Sequence, residues 1–331
     1  MSIEEKPKVM LAGLKLDSYV KRYCKKLLDQ TQCYEAKSAE SSQLVNQVKD
    51  AQIIIVAWAD ISRRVISAAE NLKGIVKWGV GIDNIDIKAA TEQGVIVSRS
   101  PGASTSVAEA TILLFLIVAK NYIKLNKLAK KGQRVFHACR SIELEGKTIG
   151  IAGMGNIGSK VAKIAHCLGM RVLGYDPYIS QDSAKQMGVS LVDLETLLRR
   201  ADTVSLHCPL TSETYHLIGE KELKLMKKSA ILINTSRGTI VDEHALIEAL
   251  KKKQIAGAGL DVFEEEPVKP DNPLLHMENV AATPHRLGAT WEGLERTTLA
   301  IQEAVLDILE GKVPKYIVNP EVLDKTLRTN K

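Results

Sequence analysis

Three polar residues in the second half of the chain each stand just after a short apolar run. Arg237 follows "AILINTS", a row of glutamates follows "GLDVF", and His285 follows "NVAATP". Their types suit one kind of chemistry. A guanidinium can hold a carboxylate through two parallel hydrogen bonds. An imidazole can take up or release a proton near neutral pH, and a neighbouring carboxylate favours its charged form. Taken singly, each also has a plainer reading. A strand-end arginine can pair with a surface acid, a histidine after Thr-Pro can be a hydrogen-bonded structural group, and a short acidic run usually decorates a surface. What joins them is a fourth feature upstream.

That feature is "TIGIAGMGNIGSKVAKIAHCLGMRVLGYDP". A G-x-G-x-x-G alone is a weak signal. Here Gly153, Gly155 and Gly158 follow a strand-like run and open a helical pattern with apolar Val161, Ile164, Ala165 and Leu168, which stops at Gly169. A second strand-like run, "RVLGY", leads into Asp176. The first glycine makes a tight turn, the second lets backbone approach a pyrophosphate, and the third lets helix pack on strand. The helix N-terminus then offers unpaired N–H groups and partial positive charge to the phosphates. Asp176 lies at about the twenty-residue distance at which an acid meets a ribose 2′-hydroxyl. A carboxylate there repels a 2′-phosphate, and Pro177 stands where an arginine could accept one, so NAD is expected rather than NADP.

Such groups need parallel sheets to present them. "KVMLAG", "QIIIVAWA", "GIVKWGV" and "GVIVSRS" read as strands, separated by helical stretches such as "DSYVKRYCKKLLDQ" and "SRRVISAAENL". A second series begins near Lys147 with "KTIGIAG", "RVLGYDP", "TVSLHCP", "AILINTSRG", "AGAGLDVF" and "NVAATPH". Strands alternating with helices mean α/β architecture, with parallel sheets covered on both faces. Ligands gather outside the carboxyl ends of such strands. Between the series one long helix is expected over about Ser106 to Lys131, apolar around much of its first half and therefore buried in a core or a subunit contact. A second long helix, "TWEGLERTTLAIQEAVLDILEG", ends at Gly311, and the polar tail after Leu323 is expected to fray. Boundaries fall at "SRSPG" near residue 100 and "HRLGAT" near 288.

Composition narrows the class. The 331 residues suffice for two domains, and 45% hydrophobic with 25% charged content is that of an ordinary globular protein. The charge of +6 permits contact with phosphates, but the lysines lie scattered or on helical faces ("KLNKLAKKG", "KELKLMKK"), and aromatics are only 4%. Nucleic acid is therefore not expected as the main partner. Five cysteines with no C-x-x-C or Cys/His ligand spacing point to reduced thiols, no metal site and a cytoplasmic location. No basic-then-apolar leader precedes "PKVMLAG", and "ATILLFLIVA" is about half a membrane span, so it reads as a buried helix.

"GIAGMGNIG", "LINTSRGTIVDEHAL", "GLDVFEEEP" and "TPH…AT", with "KWGVGIDNID" and "SVAEATILL" in the first half, together resemble the D-isomer-specific 2-hydroxyacid dehydrogenases. This family includes phosphoglycerate dehydrogenase and hydroxypyruvate reductase. The resemblance runs over nearly the whole chain. It implies two doubly wound parallel-sheet domains: a Rossmann NAD-binding domain, 101–288, inserted into a flavodoxin-like substrate domain made of 1–100 plus 289–331. It implies a catalytic set of Arg237, Glu266 and His285. Glu266 is the glutamate before proline, which is held extended, leaving Glu264 and Glu265 as surface charge.

The resemblance also implies cofactor contacts at Asn156, Ile157, Asp176, Cys208, Thr235, Ser236, Arg237, Asp261, His285 and Gly288, besides the three cradle glycines. Asp261 fits either a cofactor contact or a group supporting one. Backbone N–H groups of the Trp78–Gly81 loop (Trp78, Val80, Gly81) would meet the substrate carboxylate together with Arg237. The implied partners are a small 2-hydroxy or 2-oxo acid and a second copy of the chain, with no membrane.

Alternatives on the same scaffold are formate or phosphite oxidation, disfavoured by Glu266, where formate-oxidising relatives carry glutamine, and an NAD(H)-sensing co-repressor-like protein. Two features depart from the family pattern. "PGASTSVAE" is one residue shorter than usual, which leaves the roles of Ser104 and Thr105 open. Leu287 replaces a small residue beside Arg286. Lys77 and Arg286 are read either as phosphate contacts or as solvated charges.

Overall fold

The structure, a computed structural model, describes residues 5–134 and 141–324, so Cys139 and most of the tail after Leu323 lie outside them. The chain divides into two compact units. One comprises residues up to Ala103 and from Thr290 onward, the other Ser104–Ala289.

The first unit is built on strands β1 (Lys8–Ala12), β2 (Gln32–Glu35), β3 (Ile53–Val56), β4 (Gly74–Lys77) and β5 (Ile96–Arg99). All pair in parallel in the order β2-β1-β3-β4-β5, which is the flavodoxin-like winding. Strands β3 and β4 are buried at every residue, because helices cover both faces; hence their unbroken Ile/Val runs in place of alternation. One core, around Met10, Ile54 and Ile75, covers one face; the other holds Val9, Ile53 and Val76.

Into that second core the helix Trp291–Leu309 inserts Ile301, Val305 and Ile308, each worth roughly 1.5–3 kcal/mol when fully buried. Thr290 caps this helix by accepting from the Gly293 N–H at 3.0 Å. A methyl group on Gly74 would lie 2.8 Å from Ile308 Cδ1, so the glycine sets how closely the helix seats. Beyond it, Ile317 bridges antiparallel to Ser98, and Asn319, fully buried, accepts from Val97 N at 2.7 Å and donates to Val95 O at 3.0 Å.

The second unit carries β6 (Thr148–Ala152), β7 (Arg171–Tyr175), β8 (Ser190–Leu191), β9 (Thr203–Leu206), β10 (Ile231–Asn234), β11 (Gly257–Leu260) and β12 (Val280–Ala282). These are again all parallel, in the order β12-β11-β10-β9-β6-β7-β8. That is the dinucleotide-binding order with one added strand, and its direction of winding reverses between β6 and β9. The two-sheet α/β class expected from sequence is the one found.

Some elements differ from the sequence reading. The single long helix is two, Ser104–Ala119 and Tyr122–Lys130, bent by 63°. The break comes where Asn121 takes a left-handed φ of 51°, a conformation asparagine tolerates better than most residues. "DSYVKRYCKKLLDQ" likewise forms two short helices, Ser18–Tyr23 and Lys25–Gln30. No single helix among the described residues is long and apolar enough to cross a membrane.

Candidate active site

The turn after β6 shows why each of its three glycines is needed. Gly153 has φ +93°, and a methyl group there would fall 2.5 Å from Cys208 N and 2.6 Å from His207 C. On Gly158 it would fall 2.0 Å from Gly153 O. These two are demanded by the chain itself. Gly155 is not: no atom lies within 4 Å of its would-be methyl, so the open space at this point suits an outside group. The helix Gly158–Cys167 has no side-chain N-cap. Among the described residues no acceptor meets the N–H groups of Gly155, Asn156, Ile157 or Gly158. A turn that leaves room at Gly155 and aims bare donors from a helix end fits a pyrophosphate.

Asp176 directly follows β7, with its carboxylate already aimed. Oδ2 accepts from Met154 N at 2.8 Å and Oδ1 from Tyr178 N at 2.9 Å. Cys208, across the winding reversal, has its thiol pushed up to about 11, first by burial and further by the charge of Asp176, against a lowering hydrogen bond from its own backbone. It is a neutral, weakly polar neighbour. Beside it His207 is kept neutral by burial, which pulls its imidazole down to about 3, with Nε2 2.8 Å from Ser205 Oγ. A neutral, tied imidazole of this kind is unsuited to donating a proton.

After β10 the turn is organised by Asn234, only 1% exposed, a residue the sequence reading passed over. Its Oδ1 accepts from Ser236 N at 3.1 Å and Ser236 Oγ at 3.2 Å, and its Nδ2 donates to Arg237 O at 2.7 Å. An asparagine at a strand end that bonds its own backbone two residues on is the signal that could have found it. Thr235 turns its hydroxyl inward to Thr111 Oγ1 at 2.9 Å. Arg237 is extended and its Nη1 donates to Ser236 O at 2.7 Å.

The third element is the loop after β12. Asp261, 5% exposed, accepts on one oxygen from Thr283 Oγ1 at 2.6 Å, Arg286 N at 3.1 Å and Leu287 N at 3.2 Å. It thereby fixes the backbone on either side of His285, which takes a left-handed φ of 53°. Leu287 packs into the core beneath, which accounts for a larger side chain there, and Gly288 stays small because a methyl would meet Val107 Cγ2 at 2.6 Å.

The imidazole Nδ1 of His285 lies 2.7 Å from Glu266 Oε2, and Glu266 Oε1 accepts from Phe263 N at 3.1 Å. Burial raises the Glu266 carboxyl. That effect is outweighed by the hydrogen bond and charge of His285, the Phe263 N–H and the charge of Arg237, so the group ends below the usual carboxylate range. Arg237, Glu266 and His285 thus share one electrostatic neighbourhood.

Of the other two glutamates, Glu265 is surface charge, paired with exposed Lys269 at 2.8 Å. Glu264 is not. It accepts from His216 Nε2 at 2.7 Å and Glu243 N at 3.1 Å, a partnership hidden from the sequence by the separation of His216 along the chain.

In the first unit the Trp78–Gly81 loop is held from below. Trp78 N donates to Val56 O at 2.8 Å and Gly79 N to Ser100 Oγ at 2.9 Å, while Ser100 Oγ donates to Lys77 O at 2.7 Å. The Trp78 N–H is therefore committed. Among the described residues no acceptor meets those of Val80 and Gly81. Lys77 is 6% exposed, and its ammonium donates to Ala57 O and Asn84 Oδ1. This corrects its reading as a solvated charge.

A family model described as "D-isomer specific 2-hydroxyacid dehydrogenase, NAD binding domain" matches residues 112–286. Similar proteins include the D-3-phosphoglycerate dehydrogenase of Methanocaldococcus jannaschii, 45% identical over 86% of this chain and 55% of its own length. This chain thus spans about half of that relative. The glyoxylate reductase of Korarchaeum cryptofilum is 42% identical over 85% of this chain and 86% of its own. Among solved structures, a D-lactate dehydrogenase from Aquifex aeolicus complexed with NAD and lactic acid superposes with a TM-score of 0.85 at 31% identity, covering 94% of this chain and 98% of that one.

Proposed function

The chain belongs to the D-isomer-specific 2-hydroxyacid dehydrogenase family, NAD-dependent oxidoreductases of hydroxy and oxo acids, and from that premise we propose that it interconverts a small D-2-hydroxy acid and its 2-oxo partner. NAD(H), when bound, supplies or accepts the hydride. Gly153, Gly155, Asn156, Ile157 and Gly158 would hold its pyrophosphate and Asp176 a ribose, with Cys208, Thr235, Ser236, Asp261 and Gly288 alongside.

The chain's own residues do the rest. Arg237 holds the substrate carboxylate and polarises the 2-oxo group. His285, its Nδ1 engaged by Glu266, exchanges the proton of the substrate oxygen at Nε2. The observation that carries this reading is the 2.7 Å His285–Glu266 contact with the charge of Arg237 acting on the same carboxylate. The substrates proposed are small acids such as glyoxylate, glycerate or hydroxypyruvate.

The same reading carries a homodimer and a cytoplasmic site of action. Exposed Leu113, Tyr122 and Leu125 on the bent helix pair support the first, and the free thiols of Cys24, Cys33, Cys167 and Cys208 the second.

The test is the loss of NADH absorbance with glyoxylate, hydroxypyruvate, phosphohydroxypyruvate and bulkier 2-oxo acids. Turnover of the small unphosphorylated acids is expected. Tight NADH binding without turnover of any of them would replace the proposal with a sensing role.

Glu266→Gln keeps the shape of the site and removes its anion. A carboxylate favours the protonated imidazole, so its loss moves the upper limb of the pH–rate profile for reduction to lower pH. Activity then falls more on the alkaline side than on the acid side. A profile that does not move would uncouple Glu266 from His285.

A further inference from the structure

We infer that His216 and Glu264 form a positioning pair that fixes the spacing of Glu266 and Arg237; the inference rests on the activity proposed above. Glu264 stands two residues before Glu266 on a segment whose direction decides where that carboxylate points. Its Oε1 accepts from His216 Nε2 at 2.7 Å and from Glu243 N at 3.1 Å. Its own N–H returns a bond to Glu243 Oε2 at 3.1 Å, and Glu243 Oε1 accepts from Asn272 Nδ2 at 2.7 Å. Two carboxylates thus meet at the start of the helix Glu243–Lys251, with His216 as the ring donor facing one and an amide facing the other. His216 is itself held. Tyr215 stacks on its ring at 4.0 Å, and its backbone N donates to Thr239 O at 2.8 Å.

The tie reaches both catalytic candidates. Thr239 lies two residues after Arg237, and between them a methyl on Gly238 would fall 1.9 Å from the carbonyl carbon and oxygen of Phe263. Backbone therefore presses on backbone, and Phe263 is the residue whose N–H is bound by Glu266. Arg237's turn, the Phe263–Glu266 segment and the His216 segment are fastened into one block around Glu264. Without that fastening Glu266 can swing, and a displacement of about 1 Å in a catalytic group can cost on the order of 10²-fold in rate.

The experiment compares Glu264→Ala, His216→Ala and Glu264→Gln with the wild type. Both alanine variants are expected to lower kcat by roughly tenfold, to leave the NADH Kd within about twofold of wild type, and to shift the upper limb of the reduction profile to lower pH. That shift has the direction expected for Glu266→Gln but is smaller. Glu264→Gln, which keeps both acceptor contacts, recovers most of the loss. Wild-type rates and profile in both alanine variants would overturn the inference, as would a lower rate with an unmoved upper limb, since general loosening of the fold gives that result. Should Glu264→Ala fail to fold, His216→Asn carries the same comparison. A wild-type protein that reduces no 2-oxo acid overturns the activity; an active wild type with indifferent variants overturns only the pair.

Discussion

Replacing His285 with alanine lowers kcat by roughly 10²–10⁴-fold and leaves NADH affinity near that of the wild type. The size follows from what is removed. The imidazole is the group placed to exchange a proton with the substrate oxygen, and its orientation is set from three sides: by Glu266 at Nδ1, by Thr283 through the His285 N–H, and by Asp261 through the two residues that follow. The spared NADH affinity follows from location. The donors assigned to the pyrophosphate leave the turn after β6, and Asp176 follows β7; neither depends on the loop after β12.

Alanine also brings backbone strain, because φ at this position is 53°. His285→Asn is the better control, since asparagine occupies that region readily. Steady-state rates with a saturating 2-oxo acid, set beside fluorescence titration of NADH, make the measurement. An asparagine variant that turns over as fast as wild type would take His285 out of the mechanism.

The second large effect separates two glycines that look equivalent in the motif. Gly153→Ala places a methyl 2.5 Å from Cys208 N at φ +93°. The left-handed backbone costs about 1–2 kcal/mol and the overlap with fixed backbone about 1–3 kcal/mol more. Its thermal midpoint should drop, and NADH binding should weaken by more than about tenfold, because the turn that aims the donors is displaced. Gly155→Ala meets nothing within 4 Å. Its thermal midpoint should stay at the wild-type value while NADH affinity alone falls. Thermal unfolding with and without NADH distinguishes the two. A Gly155 variant that binds NADH normally would show that the space there is not needed by the cofactor.

Much of this organisation was legible in the residues because each signal was local. β3, β4, β6, β9 and β10 are buried throughout, so their apolar runs announce them. The cradle is contiguous, and its glycines report turn and packing needs directly. What stayed hidden was either polar at an edge or long-range. β2, "QCYE", has no fully buried residue, and β8 is two residues long, so neither carries a hydrophobic signature. The bend at Asn121 has neither glycine nor proline to mark it. Glu264 looked like its neighbour Glu265 because their difference lies in a histidine brought alongside only by folding. Lys77 looked available because a charged residue in a strand is normally at the surface, whereas here Asn84 and the Ala57 carbonyl receive it.

The first unit is assembled from both flanks of the second, with the helix Trp291–Leu309 and Asn319 completing its packing. On a translating ribosome, the order of completion therefore reverses the order of starting. The contiguous stretch Ser104–Ala289 holds every strand of its own sheet and can close as soon as it emerges, domains generally folding as units during synthesis. The five strands made earlier must wait, with the β4 face that receives Ile308 still uncovered. That early sheet is where a nascent chain of this protein is most exposed to misassociation.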